Sequence, residues 1–545
     1  MKYQDLHDAI KNHALITKEE GVKIIKSENT GELAGWVFDF RALLLQPHWL
    51  NRYAEIFWEE NAGKYPFQVC GMETAAIPLV SAIVMKGVER GTPVNGFYFR
   101  KSRKRYDLMK QVEGALTTDP IIIVDEILNR GGTVHKQLVI LKELGAKVVE
   151  VFCLMRFRSE SAYQYIVDEG VAIKTLYSLV DFNLPLQSDL PSQLPVNSFD
   201  VSWRFQAPNP SFHLVVQKSA PALDDERVFF GTDSGTFYAL RQDTGEIVWQ
   251  FTTSSQPQGK GILSSPVVHS GMVYFGAYDG NVYAFGAEDG NLRWKYTDAD
   301  WIGSSPALAS DLNLLFIGLE FSLWRKRGGI AALDMKTGKE VWKATHPALT
   351  HGSPLYIQKE NMVVIGSNDH VLYAYDAKSG KLLWTYATQG DIKTTPAYDP
   401  KRRAVIVASM DGRLYGISAI NGKPVAVFEA GAGIYSIPLV HEDTIYVSSL
   451  DKKLYALDMD TFESRWVYET TGRIFSSPVI ADGSVWIGSN DGRLYELDPD
   501  NGSLKAFFQA SERVITRIAY NQKTKQIFMH TVANELYCLK RVESI

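Results

Sequence analysis

The chain has 545 residues, a formal net charge of -5 and 45% hydrophobic residues. One hydrophobic core rarely grows beyond about 250 to 300 residues, so two or more domains are expected. The weak negative charge provides no broad cationic field, which argues against bulk nucleic-acid binding.

Cys70, Cys153 and Cys538 are far apart, with neither metal-ligand spacing nor a disulfide framework, and this suits a reducing compartment. The amino terminus, MKYQDLHDAIKNHALITKEEG, lacks the apolar core of a secretory signal. No stretch approaches the roughly 20 apolar residues of a membrane helix. A soluble cytoplasmic protein is the expectation.

Residues 1 to about 185 mix helix and strand patterns. The spacing predicts a helix over 49–60, a strand over 67–70, a helix over 74–85 and a strand over 96–99. A short apolar run, Ile121 to Val124, then suits a strand covered on both faces of a parallel sheet. Asp125 and Glu126 fall at its carboxyl end, where open α/β sheets bind ligands. In the segment NRGGTV that follows, Gly131 and Gly132 let the backbone approach a ligand, and Thr133 adds a hydroxyl as a helix begins. Free N–H groups and a partial positive charge at that helix start favour phosphate. A helix over 133–144 and a strand over 147–154 complete the pattern, and strands alternating with helices argue a parallel α/β sheet. Five prolines between Pro185 and Pro210 mark a boundary, giving a domain over 1–185, a linker over 186–199 and a second domain over 200–541.

The second domain is a repeat. A small-residue and proline mark recurs at Pro221, Pro266, Pro306, Pro354, Pro396, Pro438 and Pro478, with Ile518 in the eighth copy, at spacings of 40 to 48 residues. Each unit carries a strand after the proline, a second strand ending in a DG-type turn, a third strand, then a turn glycine and a strand with tryptophan. Four short strands per unit describe a β-propeller blade. Trp249, Trp294, Trp342, Trp384 and Trp466 hold matching places, with Ala426 and Ala506 as substitutes. The last unit lacks its tryptophan strand, whereas VSWRF at 201–205 is such a strand without a unit. Pairing the two completes an eighth blade and removes the exposed edges. The fold class is therefore multidomain: an α/β parallel-sheet domain followed by an all-β, eight-bladed propeller.

The segment PIIIVDEILNRGGTV resembles the phosphoribosyl-pyrophosphate (PRPP) motif of type I phosphoribosyltransferases. FYFRKSRKRYDLMKQVEG at 97–114 resembles the basic loop of the orotate phosphoribosyltransferases, VCGMETAAIP at 69–78 their pyrophosphate loop, and GWVFDFRALLLQP at 35–47 their early segment. The resemblance implies that Asp125 and Glu126 hold the ribose hydroxyls while Asn129, Arg130, Gly131, Gly132 and Thr133 hold the 5-phosphate. Gly71 then belongs to the pyrophosphate turn, and Arg100, Lys101 and Lys104 neutralise the leaving pyrophosphate. Lys104, Asp125 and Glu126 are the implied catalytic residues, and Arg156 contacts the base. Two departures stand out: Arg130 replaces a small residue or threonine, and Met155 replaces an acidic neighbour of Arg156. Magnesium is implied, bound mainly through PRPP, and a homodimer through this domain is expected because the family's basic loop often closes over a neighbouring subunit's site.

The repeats resemble those of the quinoprotein-like (PQQ-like) propeller family over 200–541. Its quinone-dependent dehydrogenases carry adjacent cysteines and a calcium site. This chain has no adjacent cysteines, so no PQQ is expected. The favoured function is a PRPP-dependent phosphoribosyltransferase acting on a nucleobase or nucleotide, with the propeller serving partner recognition or sensing. The alternative is a non-catalytic PRPP or nucleotide sensor whose propeller recruits a protein partner.

Overall fold

A computed structural model describes residues 2–17, 36–100, 111–129, 131–187, 198–210, 219–253, 261–321 and 327–542. The chain divides into two compact units, 1–196 and 197–545.

The first unit runs α1 (Gln4–His13), β1 (Leu15–Thr17), β2 (Trp36–Phe38), α2 (Phe40–Leu44), α3 (Pro47–Glu60), β3 (Gln68–Met72), α4 (Ala76–Glu89) and β4 (Asn95–Phe99). It continues through β5 (Val112–Glu113), β6 (Ile121–Leu128), α5 (Gly132–Glu143), β7 (Val148–Arg156), α6 (Gln164–Val167) and β8 (Ala172–Ser178). Six strands form one sheet in the order β5-β4-β3-β6-β7-β8, parallel except for β5 against β4. Alternation along each strand sends side chains to opposite faces. Ile122, Val124 and Phe152 join the core under α1 to α4, whereas Ile121, Ile123 and Val151 pack beneath α5 against Val134, Leu138 and Leu141.

The expected elements are present, with shifted ends. α4 runs four residues past its expected end, and β6 continues to Leu128, so Asp125 and Glu126 lie inside the strand. Its ladder with β7 keeps it extended: Asp125 pairs with Cys153, Ile127 with Met155 and Leu128 with Arg156.

The second unit contains eight four-stranded sheets. Seven are continuous in sequence, and the eighth joins strands within 519–541 to β9 (Phe199–Gln206). In that closure Trp203 lies opposite Cys538, as the missing tryptophan strand implied. Six tryptophans dock on the next blade in one way. Trp203, Trp249, Trp294, Trp342, Trp384 and Trp466 each donate from Nε1 to a backbone carbonyl there, at 2.9 Å. Each ring covers a glycine with positive φ, at Gly245, Gly290, Gly338, Gly380, Gly422 and Gly502. A Cβ on any of them would meet the ring within 2.5 to 2.9 Å, which is a steric clash.

The two alanines are more than substitutes. The residue four before the tryptophan site is glycine opposite every tryptophan, but Phe462 opposite Ala426 and Phe199 opposite Ala506. Phe462 is 5% exposed with Ala426 packed against its cluster, and Phe199 and Ala506 share another. At these two interfaces the large ring comes from the other blade, so packing density is kept.

Phe462→Gly should cost less than the about 3 to 5 kcal/mol of a buried phenylalanine's cavity, because glycine relieves the left-handed backbone at that position, φ 60°, and Ala426→Trp should destabilise by overpacking. The double variant restores the tryptophan-on-glycine arrangement and should recover most of the loss. Guanidinium unfolding followed by tryptophan fluorescence measures the coupling; additive losses would refute the exchange.

Candidate functional site

β3 and β6 run side by side from the Gln68–Ile121 pair to the Cys70–Ile123 pair and then part. After β3 the chain passes through α4 to β4 on one side; after β6 it passes through α5 to β7 on the other. The carboxyl ends of these strands therefore flank a topological switch point, the ligand crevice of open α/β sheets.

Gly71 sits on the β3 side, within the strand and not in the turn expected for it. A Cβ there would lie 2.3 Å from Ala76 Cβ and 2.5 Å from the Val124 carbonyl oxygen, so the close approach requires glycine. Beyond it the Glu73 amide donates to the Phe99 carbonyl at 2.7 Å, and the Glu73–Thr74 peptide is cis. Arg100 follows β4, and its backbone amide donates to the Gln111 carbonyl at 2.9 Å. Its guanidinium lies 4.0 Å from the Glu73 carboxylate and 3.4 Å from that of Glu113. β4 and β5 thus tie both ends of the basic segment beside the β3 turn. Lys101 and Lys104 lie outside the described residues, as does Arg130.

Asp125 and Glu126 are half-buried on the β6 side, and Asp125 Oδ1 accepts from the Glu126 amide at 2.8 Å. Cys153 and Tyr53 are buried next to them. Burial first, and then the neighbouring carboxylates, push the pKa of both groups well above its ordinary value. Thiol and phenol therefore stay neutral beneath the acids.

Side chains distant in sequence brace the loop after β6. Tyr163 donates to the Leu128 carbonyl at 2.7 Å and accepts from the Arg158 amide at 3.2 Å. Arg158, 6% exposed, donates from Nε to Asn129 Oδ1 at 3.2 Å. Gly131 has a φ of 70°, and a Cβ on it would lie 2.0 Å from Tyr165 Oη. α5 starts at Gly132 with Thr133 in its first turn, presenting the N–H groups that a helix leaves unpaired at its start. Asp125, Glu126, Asn129, Gly131, Gly132 and Thr133 are thus gathered at one strand end, with Gly71 and Arg100 across the switch point.

Arg156 is the last residue of β7, which runs two residues past its expected end at Leu154. It donates to the Arg158 carbonyl at 2.7 Å and lies 3.4 Å from Glu160. Met155 is fully buried in the core under α1 to α4, so the residue replacing the acidic neighbour is a packing residue. Sequence reasoning missed Arg158, Tyr163, Tyr165 and Tyr53. The available signal was an arginine and two tyrosines crowded into RFRSESAYQY after an apolar strand.

Gly131→Ala should destabilise the first unit by about 1 to 2 kcal/mol from left-handed backbone strain alone, with the Tyr165 clash added. Tyr165→Phe in that background removes the nearest clashing atom and should recover part of the loss in a urea melt. No recovery would show that Tyr165 does not set the loop's position.

The comparisons fall into the same two parts. In the amino-terminal part the chain is 27% identical over 159 residues to the orotate phosphoribosyltransferase of Bradyrhizobium sp. (strain ORS 278), covering 28% of this chain and 85% of that protein. It is 29% identical over 177 residues to that of Pyrococcus abyssi, covering 30% of this chain and 94% of that protein. Among solved structures, BamB from Moraxella catarrhalis aligns with a TM-score of 0.51 at 18% identity, over 64% of this chain and 99% of that chain. A europium-containing methanol dehydrogenase aligns at 0.53 and 13% identity, over 64% and 94%. These structural likenesses establish the propeller fold alone. The family model described as outer membrane protein assembly factor BamB matches residues 198–353, 326–425 and 400–538, and the chain belongs to that family, with an orotate phosphoribosyltransferase-like domain ahead of the propeller.

Proposed function

We propose that the first unit is a phosphoribosyltransferase that moves the phosphoribosyl group of PRPP to a nitrogenous base, with orotate the first candidate, or runs the same step in reverse on a nucleotide. The observation that carries this reading is the acid pair and left-handed glycine loop at the switch point, in a domain 27% to 29% identical to orotate phosphoribosyltransferases. In the reaction the bond from ribose C1′ to the diphosphate oxygen breaks and a bond from C1′ to the base nitrogen forms. The diphosphate leaves with the bonding electron pair, and positive charge develops on the ribose.

Asp125 and Glu126 would hold the ribose hydroxyls and stabilise that charge. Asn129, Arg130, Gly131, Gly132 and Thr133 would hold the 5-phosphate through backbone amides and the helix start. Gly71 would let the β3 turn face the diphosphate, Arg100, Lys101 and Lys104 would neutralise it, and Arg156 would contact the base. No cluster of three or more metal-ligating side chains occurs among the described residues. The carboxylates at β6 suit an ion held chiefly by the substrate, since magnesium is commonly bound by one or two carboxylates plus phosphates. Such an ion would screen the diphosphate charge. In this reading the domain works as a homodimer and the propeller serves recognition of a protein partner. Three buried free cysteines support a cytoplasmic setting; among the described residues no helix is long and apolar enough to cross a membrane.

Asp125→Asn combined with Glu126→Gln should lower the rate of pyrophosphate release from PRPP in the presence of orotate by about 100-fold or more, with the thermal melt unchanged. Transfer at the parent rate would refute these roles. PRPP binding by calorimetry without turnover on any common base would favour a sensor.

A further inference from the structure

We infer that the central channel of the propeller binds a small organic anion, a carboxylate or phosphate monoester, through Arg517. The position just before each repeat mark is Ser265, Ser305, Ser353, Thr395, Ile437 and Ser477 in blades two to seven, and Arg517 in the eighth. Most of these hydroxyls stitch the ring together. Ser265, Ser305 and Ser353 accept from the Ala220, Ser265 and Ser305 amides of the preceding blade at 3.0, 2.9 and 2.8 Å, and Ser477 accepts from the Ile437 amide at 2.9 Å. An arginine cannot accept a hydrogen bond, so Arg517 gives up this role and places a guanidinium in the channel instead.

The channel encloses a cavity of about 650 Å³, within the range of small-molecule sites. No aspartate or glutamate is among its described lining residues, which include Arg517, Lys393, His351, Tyr278, Tyr435 and Phe475. Two of the three basic groups are already balanced. Lys393 is 2.9 Å from Asp391, and His351 is 3.1 Å from Glu320, which is fully buried and also accepts from the Gly303 amide at 3.1 Å. Among the described residues Arg517 has no such carboxylate, and its side chain is exposed to the channel. An exposed, unpaired guanidinium is open to an anion arriving from solution. Tyr435 and Phe475, with ring centroids 5.7 Å apart, give the cavity an aromatic wall beside Leu450 and Met410, so an acid group on a small apolar body matches the lining.

The test is calorimetric titration of the full chain with benzoate and with phenyl phosphate, which separate the two acid groups. At least one probe should bind at a single site, roughly tenfold or more weaker in Arg517→Met, the scale of a hydrogen bond to a charged group. Asp125→Asn with Glu126→Gln should leave that binding unchanged, which separates the channel from the crevice of the first unit. Lack of binding by both probes at millimolar concentration, parent-like affinity in Arg517→Met, or loss of binding in the acid double variant would each overturn the assignment. If melting curves show that Arg517→Met does not fold, Arg517→Lys, which keeps the charge but loses the planar fork, must still weaken binding several-fold or the assignment fails.

Discussion

Each interface of the propeller places a large ring on one blade against a residue with little or no side chain on the next. This steric pairing explains both the regularity of the repeat and its exceptions. Six interfaces place tryptophan over a left-handed glycine, where the ring occupies the space a Cβ would need. At the other two, alanine faces Phe462 or Phe199, so the same volume is filled from the opposite side. Close packing couples the two positions; a change at either one alone opens a void or forces a clash. The closing strand obeys the same rule at both its edges, because Trp203 covers Gly245 and Phe199 shares a core with Ala506.

The crevice of the first unit uses glycine for a different purpose. At Gly71 the absent Cβ admits Ala76 and the Val124 carbonyl, which brings the start of α4 against the point where β6 leaves β3. At Gly131 it admits Tyr165 Oη, and Arg158 and Tyr163 fix the preceding residues. The two glycines therefore permit the close approaches on either side of the crevice, one at the start of α4 and one at the entry into α5.

Much of this was legible in the sequence because it depends on local chemistry. An apolar run followed by two acids and a glycine pair specifies a buried strand, polar groups at its end and a turn. The proline marks specify the blade period, and the surplus VSWRF strand specifies closure. What was not legible depends on pairing across distance. β6 continues through Asp125 and Glu126 because β7 is there to bond it, although the apolar run has ended. Arg158 meets Asn129 from 29 residues away with no motif to announce it. The Phe462–Ala426 exchange emerges only when the position four before the tryptophan site is compared with the neighbouring blade. Met155, conspicuous as a departure from a family pattern, is a core residue whose side chain faces away from the question it raised.

The charges around the crevice have a direction. Two carboxylates stand in the carboxyl-terminal half of β6, and the titratable groups beneath them, Cys153 and Tyr53, are held neutral by burial and by the carboxylates themselves. Across the switch point Arg100 is shared between Glu73 and Glu113 at 4.0 and 3.4 Å. In the proposed transferase the β6 carboxylates face the positive charge that develops on the ribose. These carboxylates are in place before the substrate arrives, so little reorganisation is needed as positive charge develops on the ribose, which is the condition under which fixed protein charges lower a barrier most.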